Sequence, residues 1–143
     1  MKAIILAAGK GVNLAPFSKT RPIPMVNVAG TCLLDNTLSL LKKSGISDVF
    51  VVVGHQKEKI IECIKGYALD GANINFIEQK RVGEIGNAVS QVKNKISPGE
   101  YFMLVYGDII TSSNIFSKIQ QSFHSFKAPV ASICLPPSNE MFG

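Results

Sequence analysis

Lys2-Ala3-Ile4-Ile5-Leu6-Ala7-Ala8-Gly9-Lys10-Gly11 is the stretch on which the fold turns. After Lys2 it is an apolar run of the kind that makes a short buried strand, and it passes directly into a turn carrying two glycines. Glycine tolerates the backbone conformations that aim successive N–H groups at one point, so such a turn can close on a phosphate.

Working outward, Leu14-Ala15-Pro16-Phe17 and Thr20-Arg21-Pro22-Ile23-Pro24-Met25-Val26 extend the turn into a long loop with no helical or strand period. Loops of that length inside a compact domain tend to be functional. Four further apolar, β-branched runs follow: Asp48 to Val53, Asn73 to Ile77, Tyr101 to Val105 and Pro129 to Cys134.

Helical periods separate them. Leu34, Leu38 and Leu41 mark a first helix ending at Lys42-Lys43-Ser44-Gly45, and Ile60, Ile61 and Ile64 mark a second closed by Gly66. Ala88, Val89, Val92 and Ile96 predict a third stopping before Pro98, and Ser112 or Ser113 is placed to cap a fourth carrying Ile115, Phe116, Ile119 and Phe123. Strands that alternate with helices and read as continuous apolar runs predict an α/β fold: an open, doubly wound, mostly parallel sheet in an α/β/α sandwich. Ligands bind such sheets beyond the carboxyl ends of the strands, which the glycine turn, Gln79 and Asp108 all reach by topology.

Length and composition narrow the class. The 143 residues suit a single domain, and 46% hydrophobic with 17% charged residues describe a folded, soluble chain. The opening apolar run is too short for a secretory segment, and no stretch approaches the roughly 20 apolar residues of a membrane span. A cytoplasmic protein without membrane association is expected. The net charge of +5 suits an anionic substrate, but no basic and aromatic stripe of the nucleic-acid-binding type appears. Cys32, Cys63 and Cys134 stand at wide spacings with no C-x-x-C, which argues against zinc and against a disulfide framework and for small buried hydrophobes.

The opening loop resembles the signature of the sugar-phosphate nucleotidyltransferases, written L-A-A-G-x-G-T-R-L-x-P-L-T, then P-K-P-M, then A-G-K-P-L-L, the last matched by Val28-Ala29-Gly30-Thr31-Cys32-Leu33-Leu34. The resemblance implies a nucleotide-diphospho-sugar transferase-like fold over residues 1–143, reaching the nucleotide-binding half of the family's domain as if truncated on the C-terminal side. It also implies a reaction: nucleoside triphosphate plus sugar 1-phosphate gives nucleotide sugar and pyrophosphate, with Mg2+ as cofactor. A homo-oligomer is compatible with it.

Carried over position by position, the resemblance puts Leu6, Ala8, Gly9, Lys10 and Gly11 around the nucleotide, Gln79 at the base edge, and Gly86-Asn87 at the start of a helix facing it, with Gly83 taking a glycine role by a one-residue slip. Asp108, after Tyr106-Gly107, matches the family's magnesium-binding aspartate. A glutamine amide both donates and accepts, as a base edge requires.

The chain departs from the signature in one direction. Val12-Asn13 stand where the family has Thr-Arg, Ile23 replaces the lysine of P-K-P, and Thr31 replaces the lysine after Ala-Gly. Losing one electrostatic donor typically costs on the order of 100- to 1000-fold in rate, so weak or absent turnover is expected unless Lys10, Lys19 or Arg21 substitutes. A non-catalytic, nucleotide-binding or regulatory relative is the alternative. His55 reads as a loop histidine, and His124 has no partner in view.

Overall fold

The computed structural model describes residues 1–65, 71–80 and 84–132, and the chain divides into two compact units, Met1–Thr111 and Ser112–Gly143. In chain order the first unit contains β1 (Lys2–Ala7), α1 (Phe17–Thr20), β2 (Asn27–Val28), β3 (Thr31–Cys32), α2 (Leu33–Lys43), β4 (Asp48–Val53), α3 (Lys57–Ile64), β5 (Asn73–Glu78), α4 (Ile85–Ser90) and β6 (Phe102–Tyr106).

The main sheet has the order β5-β4-β1-β6 and every pairing in it is parallel. Ile4 lies between Phe50 on one side and Leu104 on the other. The chain winds from β1 outward through β4 to β5, then returns to the far side of β1 as β6, so the winding reverses between β1 and β6. That reversal opens a crevice at the carboxyl edge of the sheet.

Burial explains the strand composition. Val49 to Val53 are all buried, because β4 sits in mid-sheet with both faces covered, and each such side chain contributes roughly 1.5–3 kcal/mol on leaving water. Strand β6 was expected to be continuously buried and is not. Met103 and Val105 are buried, whereas Phe102, Leu104 and Tyr106, which point to the opposite face of the strand, are 38%, 40% and 46% exposed, so that one face of β6 is left uncovered by the described residues.

The helical expectations hold with local corrections. Leu34, Leu38 and Leu41 face the core from α2, which ends where Ser44 Oγ donates to Leu41 O at 2.7 Å. The third helix stops at Ser90 and does not run to Ile96; a separate 3-10 turn covers Lys93–Lys95. Both Ser90 Oγ and Gln91 Nε2 donate to Asn87 O, so side chains claim the carbonyl the next turn would use. The signature loop, expected to carry no helical or strand period, contains α1, the β2–β3 hairpin and two further 3-10 turns, Val12–Leu14 and Ile23–Met25.

The second unit holds α5 (Ile115–Phe126). Its N-cap is Asn114, not Ser112 or Ser113, and no side chain caps it; Ser112 Oγ donates to Asn114 Oδ1 at 3.3 Å instead. Within the run Pro129 to Cys134, residues 129–132 form no strand, and Pro129 has no N–H to give a ladder. The rest of that run and Gly66 lie outside the described residues. No described helix is long and apolar enough to cross a membrane.

Cys32 is buried, as a small hydrophobe would be, and Cys63 is half-buried. Cys32 Sγ lies 4.0 Å from Cys63 Sγ, the first at the N-cap of α2 and the second on α3. Burial pushes the Cys32 thiol up to about 12.

Candidate functional site

Strand β1 delivers its carboxyl end into the crevice. Its last residues are tied to the neighbouring strand exits: Gly107 N–H donates to Leu6 O at 2.9 Å and His55 N–H to Ala8 O at 3.3 Å. A Cβ added to Gly107 would stand 2.8 Å from Leu6 O and 3.3 Å from Pro24 Cγ. Only glycine permits that approach, and it sets Asp108 beside the exit of β1. Gly11 occupies the left-handed region at φ +60°, which turns the loop back over the sheet edge.

The crevice has a volume of about 170 Å3 and is mostly apolar. Leu6, Ala7, Ala8, Gly9 and Gly11 line it from the β1 exit, Ile23 and Pro24 from the signature loop, Gln79 from the β5 exit, Ile85 and Ala88 from α4, and Tyr106 and Asp108 from the β6 exit. An apolar lining with a few convergent polar groups is the usual make-up of a small-molecule site.

Of the residues singled out in the sequence, Leu6, Ala8, Gly9, Gly11, Gln79 and Asp108 meet on this one crevice. Gln79 is 3% exposed, and its Nε2 donates to Asn87 Oδ1 at 2.9 Å, so those two are joined although only Gln79 lines the wall. Gly86 faces a neighbouring hollow instead, and Gly83 lies outside the described residues.

Lys10, Lys19 and Arg21 are exposed and do not line the crevice. Asp108 is its one charged lining residue among those described. Glu84 and His55 are likewise outside the lining; His55 Nε2 lies 3.0 Å from Gln56 Nε2.

The wall also contains residues the sequence had not marked as ligand-facing: Ala7, Pro24, Ile85 and Tyr106. Ile85 opens α4 just beyond the β5 exit, and Tyr106 precedes Gly107 at the end of β6, so position at a carboxyl edge was the signal available. Ile23 is 5% exposed and packs beneath the Gly11 turn, which makes an apolar residue there part of the core as well as of the wall.

Similarity to known proteins agrees with this architecture. The family described as nucleotidyl transferase matches residues 2–141. A bifunctional protein GlmU of Methanococcus maripaludis is 36% identical over 115 residues, covering 80% of this chain and 26% of its own. The UTP--glucose-1-phosphate uridylyltransferase AglF of Haloferax volcanii is 35% identical over 115 residues, covering 80% of this chain and 46% of its own. In fold, a UDP-glucose pyrophosphorylase from Acinetobacter baumanii superposes with a TM-score of 0.71 at 20% identity, covering 89% of this chain and 53% of that one. The chain thus spans between about a quarter and about half of the proteins it matches.

Proposed function

The chain belongs to the nucleotidyl transferase family, and from that premise we propose that its crevice takes a nucleoside triphosphate and a sugar 1-phosphate. The reaction is in-line attack of a sugar phosphate oxygen on the α-phosphorus, with the bond to the leaving pyrophosphate breaking as the new one forms. The observation that carries this reading is the meeting of Gly9, Gly11, Gln79 and Asp108, from three separate strand exits, on one crevice at the winding reversal.

Each group has work suited to its chemistry. Backbone amides of the Gly9–Gly11 turn donate to phosphate oxygens. Gln79, with its amide nitrogen engaged by Asn87, has its carbonyl oxygen to present to a base edge. Asp108 is exposed at the mouth and offers a hard carboxylate oxygen, and one such ligand completed by substrate phosphates and water is a donor set that Mg2+ accepts. When bound there, Mg2+ supplies positive charge to the phosphate oxygens as negative charge spreads over them.

Turnover is weak in this reading, because no lysine or arginine lines the crevice among the described residues. The same fact supports a second reading, nucleotide binding without turnover. Pyrophosphate release with Mg2+, an assortment of nucleoside triphosphates and sugar 1-phosphates separates the two. Release abolished by Asp108→Asn supports catalysis, calorimetric binding of triphosphate without release supports the second, and absence of both rejects the site.

A further inference from the structure

Away from the crevice, Cys32 Sγ, Cys63 Sγ and a carboxylate oxygen of Asp35 lie within 4.8 Å of one another. From this clustering we propose that Cys32, Asp35 and Cys63 form a binding site for a thiophilic divalent cation of the Zn2+ class, clamping the start of α2 to α3.

The separation of the sulfurs points to a shared ion. Two thiolates on one tetrahedral zinc stand about 3.8 Å apart, given Zn–S bonds of about 2.3 Å. Here they are 4.0 Å apart. A disulfide would need them to close to about 2 Å, and it would leave the carboxylate unused.

The carboxylate is the second, independent observation. Asp35 Oδ1 is buried and accepts no hydrogen bond. A buried carboxylate oxygen without a partner is costly, and coordination by a cation removes that cost. Two sulfur ligands and one oxygen, with water in the fourth place, make a donor set that zinc takes readily, whereas Mg2+ and Ca2+ prefer oxygen alone.

Two local features oppose the burial that holds the Cys32 thiol protonated. Asp35 N–H donates to Cys32 Sγ at 3.4 Å, the kind of hydrogen bond that steadies a metal-bound thiolate. Both Cys32 and Asp35 stand at the N-terminal end of α2, where the helix dipole stabilises negative charge. Uptake of the ion exchanges the thiol protons for the metal, releasing them to solvent.

The site would brace a functional segment. Cys32 ends the signature loop, and α3 already holds that loop through Lys59 Nζ to Thr20 O at 2.7 Å and Gln56 Nε2 to Lys19 O at 3.5 Å. A cation between Cys32 and Cys63 adds a third tie.

The test is a Co2+ titration, as a spectroscopic stand-in for Zn2+, of the reduced chain carrying Cys134→Ser. The expected result is a thiolate-to-cobalt charge-transfer band that saturates at one equivalent, is displaced by Zn2+, and accompanies a rise in the urea midpoint. Cys63→Ser should remove the band, and Asp35→Asn should weaken affinity by roughly tenfold or more while keeping it. Circular dichroism checks that each variant is folded, and if Cys63→Ser is not, Asp35→Asn decides alone. No band in the folded reduced chain, an undiminished band in folded Cys63→Ser, or unchanged affinity in folded Asp35→Asn would overturn the site.

Discussion

Ile23 lies directly beneath Gly11: a Cβ built on Gly11 would overlap Ile23 Cγ1 and stand 2.7 Å from Cδ1. The family's P-K-P lysine position and the glycine of its phosphate turn are therefore packed against one another here, and a change at either is felt by both. Gly11→Ala adds this overlap to the strain of a left-handed φ and should destabilise the fold by about 1–3 kcal/mol in urea unfolding. Combined with Ile23→Ala, which removes both Cγ1 and Cδ1, the loss should be smaller than the sum. Simple additivity would mean that the two do not touch.

Ile23→Lys restores a cation next to the crevice. The four-carbon stem can follow the path of the isoleucine and carry its ammonium to the mouth. One charge-assisted contact to phosphate is worth roughly a tenfold gain in affinity. Unchanged triphosphate affinity in calorimetry would show that this face of the loop does not meet phosphate.

Asp108→Asn keeps the size of an exposed side chain and removes its charge. Stability should stay within about 0.5 kcal/mol. Mg2+-dependent triphosphate binding should fall by about tenfold or more. Equal affinity with and without Mg2+ in both proteins would dismiss this residue as a ligand.

Asn87→Ala takes away the acceptor that holds the Gln79 amide at 2.9 Å. A net cost of about 0.5–1.5 kcal/mol is expected for the lost hydrogen bond. Discrimination among nucleoside triphosphates should relax with it, because the Gln79 amide is then free to rotate. Unaltered discrimination in competition binding would place base reading elsewhere.

Lys57 Nζ and Glu78 Oε2 are 2.8 Å apart at the carboxyl edge of β5. The hydrogen bond from Lys57, and next its charge, hold the Glu78 carboxyl below its ordinary 4.5. The folded state binds this proton less tightly than the unfolded state, so the contribution is complete above pH 4.5 and disappears as pH falls through the lower folded value. Glu78 is exposed and Lys57 partly so, which keeps the effect small. Lys57→Met should return the Glu78 titration, followed by NMR, toward 4.5.

Local composition settles a good deal of this molecule. The apolar runs at Lys2 to Leu6 and Asp48 to Val53 become central strands, and the leucines of α2 face the core, because hydrophobic periodicity records which faces leave water. Glycines at the ends of strands, together with Gln79 and Asp108, reach one sheet edge for a related reason: parallel winding sends every strand exit to the same side. What composition leaves open are relations between distant segments. That β6 is half exposed depends on only one of its faces being covered by the described residues, and that Gln79 is buried depends on α4 closing over it with Asn87. Cys32 and Cys63, thirty-one residues apart, meet because the chain entering α2 comes up against α3, and Ile23 turns inward because Gly11 lacks the atom that would exclude it. These are consequences of close packing in three dimensions, where a side chain's neighbours come from elsewhere in the chain and its own residue type does not name them.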